Sequence, residues 1–179
     1  AVYDAIVPWA PITKTYLNNI ELIYRHFPNK AAMKTSPWKF FNYSYGLRLF
    51  KNLVLLPWGP TGYVNPHLPV PMKKSTLANL WQIEFETLDR TSKSKIRDYK
   101  VDVNQYICQY WQIESNQFYP IAHNIGKSID FNRLDQLDRI FKDKHKKLLC
   151  VNDNFDFKEE NLLRFKQILD ERYPEKSTF

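Results

Sequence analysis

The sequence predicts an α/β fold with helix in excess, and three features predict it. Apolar residues recur at three- and four-residue steps in several separate stretches, the spacing of one helical face. One short run, Leu148-Leu149-Cys150-Val151, is apolar and β-prone and ends in the polar turn Asn152-Asp153-Asn154, as a buried strand would. Only four glycines occur in 179 residues, which excludes the glycine-rich phosphate loops of Walker or dinucleotide-binding type.

Taken in order, Leu17, Ile20, Tyr24 and Phe27 define a first helix, capped by Thr13 and stopped at Pro28-Asn29. Residues 29–46 mix aromatics (Trp38, Phe40, Phe41, Tyr43, Tyr45) with turn formers and read as loops packed on a core. Leu47 to Leu56 is a short helix by its Leu49/Phe50/Leu53/Val54 spacing, and Pro57-Trp58-Gly59-Pro60 breaks the chain. Leu77, Leu80, Trp81, Phe85 and Leu88 form one amphipathic helix capped by Ser75 or Thr76. A basic, hydroxyl-rich connection, Thr91 to Arg97, leads to Asp102-Val103-Asn104-Gln105. That pattern is a capping box for a helix burying Val103, Tyr106, Ile107, Tyr110 and Trp111. Leu134, Leu137, Ile140 and Phe141 mark a short helix before the strand. After the strand, an Asp156/Glu159 capping box opens a last helix through Leu162, Phe165, Leu169 and Tyr173.

With 44% apolar and 16% aromatic residues, the chain is globular and large enough for a real core. Lys and Arg number 26 against 19 Asp and Glu, a net charge of +7, which suits an anionic partner: nucleic acid, phospholipid and nucleotide-sugar phosphates all qualify. Cys108 and Cys150 lack metal-ligand spacing and make no disulfide framework, which fits a reducing compartment. No apolar run is long enough to span a bilayer. Aromatics interleaved with Lys34, Lys39 and Arg48 resemble a base-stacking surface, but no nucleic-acid-binding motif accompanies them, and no nucleic-acid partner is expected.

The candidate chemistry begins at Asn65-Pro66-His67-Leu68-Pro69-Val70-Pro71. Proline fixes its own φ and holds the residue before it extended, so His67 sits on a stiffened loop that can aim it; the alternative is an ordinary surface or satisfied core histidine. Lys73 and Lys74 follow just before a helix N-terminus, where backbone N–H groups favour anions; the alternative is two solvated lysines. Asp102 has a structural explanation as a cap. Asn152, Asp153 and Asn154 stand just past a strand's carboxyl end, where α/β proteins gather ligands, or they simply form a polar turn.

Several blocks in order resemble the Stealth proteins: Phe41-Asn42-Tyr43-Ser44-Tyr45-Gly46 with Leu55-Leu56-Pro57-Trp58, Asn65-Pro66-His67-Leu68-Pro69 through Lys74-Ser75-Thr76-Leu77, Leu88-Asp89-Arg90-Thr91-Ser92 with Arg97 and Asp102 to Tyr106, and Leu149 to Asn154. These are hexose-1-phosphate transferases of bacterial capsule synthesis, related to the eukaryotic lysosomal-enzyme GlcNAc-1-phosphotransferase. Residues 60–111 resemble the family's third conserved region and 146–179 its fourth. The chain therefore reads as a single domain, or as the C-terminal half-domain of a Rossmann-like, glycosyltransferase-like catalytic domain whose sheet an N-terminal half completes.

The resemblance implies transfer of a sugar-1-phosphate from a nucleotide-sugar, a UDP-hexose or UDP-HexNAc, to a glycan hydroxyl, inactive without the N-terminal half. It makes His67 the general base and Arg97 the group that grips the diphosphate. Lys73, Lys74, Asp102 and Asn152 would bind substrate, and Asp153 and Asn154 would hold a divalent cation, Mg2+, with acidic residues of the other half. It also implies a cytoplasmic protein in peripheral contact with the inner membrane face. Two rivals are a non-catalytic module that only holds donor or acceptor, and a basic nucleic-acid-binding domain.

Overall fold

In a computed structural model, residues 2–6, 10–27, 31–55, 61–122, 124–153, 158–175 and 178 are described. The expected stops at Pro28-Asn29 and Pro57-Trp58-Gly59-Pro60, the helix end at Leu56, the ligand Asn154 and the cap Asp156 lie outside them. The chain divides into two compact units: Ala1–Asn65 with Val70–His123, and Pro66–Pro69 with Asn124–Phe179.

The first unit is helical. It contains α1 (Pro11–His26), α2 (Ala31–Thr35), α3 (Pro37–Phe40), a 3-10 segment Tyr43–Arg48, α4 (Leu49–Val54), α5 (Lys74–Ile83), α6 (Phe85–Lys93) and α7 (Tyr106–Glu114). Eight of the nine residues of α7 are buried, with α1, α2 and α5 packed against it. Tyr63 stacks on Tyr110 of α7 with ring centroids 4.2 Å apart, and the Tyr3 and Tyr63 hydroxyls both donate to Glu114, at 3.1 and 2.9 Å. Burial, then the neighbouring Glu114 carboxylate, pushes both phenols far above the ordinary tyrosine range.

Residues 31–35 and 37–40, read from the sequence as loop, form the helices α2 and α3, and three further sequence expectations change here. First, α1 begins at Pro11 after Ala10, and Thr13 lies inside it, its hydroxyl bonded to the Ala10 carbonyl. Its buried face carries the polar Thr15 and Asn19 beside Ile20 and Ile23, while Leu17 and Tyr24 are exposed. Asn19 is tolerated there because it exchanges two hydrogen bonds with Asn104, at 2.7 and 3.1 Å.

Second, the helix over 77–88 is two helices broken at Glu84, whose backbone (φ −119, ψ 39) leaves the helical region. Glu84 is buried at the break and accepts from His26 at 2.6 Å and from Thr87 at 3.0 Å. Neither Ser75 nor Thr76 caps α5: Thr76 is buried, and Gln112 of α7 instead accepts from the Lys73 N–H at 2.7 Å.

Third, Asp102 does not cap α7. The Asn104 side chain accepts from the Tyr106 N–H at 3.0 Å and takes that role.

The second unit holds a two-stranded parallel sheet, β1 (Gly126–Asp130) with β2 (Leu148–Asn152), in a register pairing Gly126 with Leu148 and Asp130 with Asn152. A 3-10 segment (Phe131–Gln136) and α8 (Leu137–Lys142) connect the strands, and α9 (Glu159–Arg172) follows. Ile129, Phe131, Leu134, Leu137 and Ile140 form its core, with Phe165 and Ile168 of α9 packed on it. The strand expected at 148–151 is present, and its partner comes from this chain. β1 escaped the sequence reading because Gly126-Lys127-Ser128-Ile129-Asp130 has a single large apolar side chain.

Candidate functional site

In the first unit, Arg97 is carried by the loop between α6 and α7. Asp102, 1% exposed, holds that loop from behind: its carboxylate accepts from the Asp98 N–H at 2.8 Å and the Ser94 hydroxyl at 3.2 Å. Asp102 thus positions the backbone that bears Arg97. The guanidinium has no ion pair among the described residues.

Arg97 borders two cavities. One, of about 490 Å³, is lined by the apolar Leu80, Trp81 and Ile107 together with hydroxyls, amides and Asp102. The other, of about 460 Å³, lies at the start of α1 and is lined by Pro11, Lys14, Arg97, Asp98, Tyr99 and Lys100. Lys14 and Lys100 also lack ion pairs among the described residues, and the first turn of α1 contains no acidic side chain. Asp98 is the one carboxylate in this cleft, with one oxygen accepting from the Lys100 N–H at 2.9 Å. Three cations around a helix N-terminus make a surface suited to an anion. Cys108 reaches the first cavity, but burial pushes its thiol above the ordinary range, away from nucleophilic chemistry.

Lys73 and Lys74 stand at the start of α5, as expected, and both are exposed. Gln112 fixes the backbone there, and the Lys73 ammonium donates to Gln117 at 3.0 Å.

His67 belongs to the second unit and is exposed at the bend of Pro66–Pro69. The loop is seated through Leu68, which packs where a side chain at Gly126 would otherwise stand: a Cβ there would lie 2.6 Å from Leu68 Cδ1. Since Gly126 pairs with Leu148, the histidine loop sits at the amino ends of the strands. Asn152 and Asp153 lie at the carboxyl end, four residues away along β2 and so roughly 13 Å distant. The sheet therefore separates His67 from them.

Asn152 is engaged within the sheet, donating to the Ser128 hydroxyl at 3.1 Å and accepting from the Cys150 thiol at 3.3 Å. Asp153 is exposed. Sequence reading missed Asp130, which the register places beside Asn152 and which accepts from the Asn132 N–H at 2.9 Å. Among the described residues no three His, Cys, Asp or Glu side chains converge on a cation position. Of the two expected cation ligands, Asp153 is exposed and Asn154 lies outside the described residues, so no metal step is derived from them.

Lys14 and Lys100 were also missed. Lys100 shares the Arg97 loop and could have been found by its charge; Lys14 is brought in only by the packing of α1.

No family model and no solved structure matches the chain. It is 33% identical, over 99% of its length, to the capsular polysaccharide phosphotransferase WcwK of Streptococcus pneumoniae, covering 54% of that protein. It is 27% identical over its whole length to an exopolysaccharide phosphotransferase of Lactiplantibacillus plantarum, covering 54% of it. The receptor polysaccharide phosphotransferase WefC of Streptococcus gordonii is 29% identical over 91% of the chain, with 50% of it covered. The chain spans about half the length of the curated relatives it matches, and along nearly all of that span it is a homologue of the Stealth-type capsular polysaccharide phosphotransferases.

Proposed function

We propose that this chain is the phosphate-gripping part of a phosphotransferase in polysaccharide synthesis, one that moves a sugar-1-phosphate from a nucleotide-sugar to a glycan hydroxyl. The observation that carries this reading is Arg97, free of ion pairs among the described residues and bordering a cleft it shares with Lys14 and Lys100. A diphosphate carries the charge such a cleft attracts. The guanidinium can bind two phosphate oxygens at once and stabilise charge that grows as the phosphoryl group transfers. The adjoining cavity, lined by Trp81 and by polar side chains, has the character of a ring-binding pocket.

His67 is the general base in this reading, taking the acceptor hydroxyl's proton. Its exposure and its proline-held loop support that role. The two parallel strands are the part of a larger sheet that this segment supplies, since each has one edge with no paired strand among the described residues.

The test is release of uridine monophosphate from UDP-GlcNAc and related donors by a full-length chain containing this segment, compared with its Arg97→Lys, Arg97→Ala and His67→Ala variants. The reading requires Arg97→Ala to lower kcat/KM by about 10²–10³-fold, with Arg97→Lys recovering little of it. His67→Ala should lower kcat by about 10²–10⁴-fold. Nucleotide-sugar binding without monophosphate release would make the chain a binding module. Full activity in His67→Ala would make the histidine structural.

A further inference from the structure

Around α4 the usual rule of burial is inverted. Asn52 is 0% exposed, whereas Leu47, Phe50 and Val54 stand 84%, 62% and 64% open, with Leu53 also exposed. Asn52 is a satisfied anchor: it accepts from the Val2 and Tyr3 N–H groups at 3.1 Å each and donates to the Phe40 carbonyl. Its bonds fix which way the helix faces. Leu47, Phe50, Leu53 and Val54 fall at steps of three, six and seven residues and form one stripe, directed away from the core. With the exposed Tyr43 just before them they present on the order of 500 Å² of apolar surface, the size of the largest patch on a typical monomer, which is often functional.

We infer that this stripe is the seat on which the remaining half of the full-length family protein packs. Length is the first argument. The chain covers 54% of its pneumococcal relative, so a segment of similar size must find a face to bury against. Charge is the second. Lys51 is neutralised by Asp4 at 2.9 Å, and Arg48 is the one cation of this stretch without an ion pair among the described residues. A charge-poor apolar stripe suits the centre of a protein interface. It lacks the basic face that holds an amphipathic helix on anionic lipid, and α4 is only six residues long. The inference rests on the homology and the exposed face, so it stands or falls independently of the catalytic reading.

The test is maleimide labelling of Leu47→Cys and, separately, Phe50→Cys. Each is made in the 179-residue chain and in a full-length chain carrying the same segment, with the parent chains measuring background from buried Cys108 and half-buried Cys150. Native labelling rates are normalised to those in denaturant. The expected result is rapid labelling of both probes in the 179-residue chain and at least about tenfold slower labelling in the full-length chain. Equal native rates in the two chains overturn the inference. So does protection of the 179-residue chain that grows with its own concentration, which assigns the stripe to a second copy. Protection that needs phosphatidylglycerol vesicles in both chains assigns it to a lipid surface and equally overturns it.

Discussion

The Asp102 carboxylate accepts the backbone N–H of Asp98 at 2.8 Å, tying the residue next to Arg97 to a fully buried anchor. Removing that acceptor breaks a part-buried hydrogen bond to a carboxylate, a bond worth about 1.5–3 kcal/mol. Asp102→Ala should therefore lower thermal stability and increase hydrogen exchange at residues 94–100. Asp102→Asn keeps an acceptor and should lose less of both. Unchanged exchange in Asp102→Ala would show that the loop is held by other means.

Glu84 gives a pH prediction with a definite sign. Burial alone would raise its carboxyl, but hydrogen bonds from His26 and Thr87 and the charge of Arg25 outweigh burial and leave it below the usual glutamate range. A carboxyl depressed in the folded state binds fewer protons there than in the unfolded chain, so its contribution is complete above the ordinary value of about 4.3 and is lost as pH falls through the lower folded value. Glu84→Gln should cost about 1.5–3 kcal/mol in urea unfolding at pH 7. The difference from the parent chain should shrink toward pH 3; one that stays constant would show that shape, not charge, matters at the α5–α6 break.

At Gly126 an added Cβ would lie 2.6 and 2.9 Å from the two Leu68 methyls and 3.0 Å from Leu148 Cβ. Gly126→Ala should push Leu68 off its seat and move the neighbouring imidazole, a shift readable in the His67 ring resonances, at a stability cost of about 1–3 kcal/mol. An unchanged His67 spectrum would mean the loop is not aimed by this contact.

Gly46, with φ 55 and ψ −141, kinks the chain within the Tyr43–Arg48 segment in a region that side chains rarely adopt. Gly46→Ala should cost about 1–3 kcal/mol, seen as a lower urea midpoint. A smaller cost would mean the turn can relax.

Sequence alone was enough for the helical periodicity, a strand at 148–151 and the stiffness of the histidine loop, because these follow from side-chain spacing and proline geometry over a few residues. The homology to capsular phosphotransferases was likewise written in short motifs. Only the tertiary structure decided which faces those elements bury. Asn19 and Asn52 go inside because distant partners, Asn104 and the backbone of Val2 and Tyr3, satisfy them, and no local pattern announces a partner dozens of residues away. The same reason hid the break at Glu84, held by His26, and the cleft that joins Lys14 of α1 to Arg97 and Lys100. The role of Asp102 moved from helix cap to loop anchor because Asn104 satisfied the helix end, leaving the carboxylate to the backbone of the Arg97 loop.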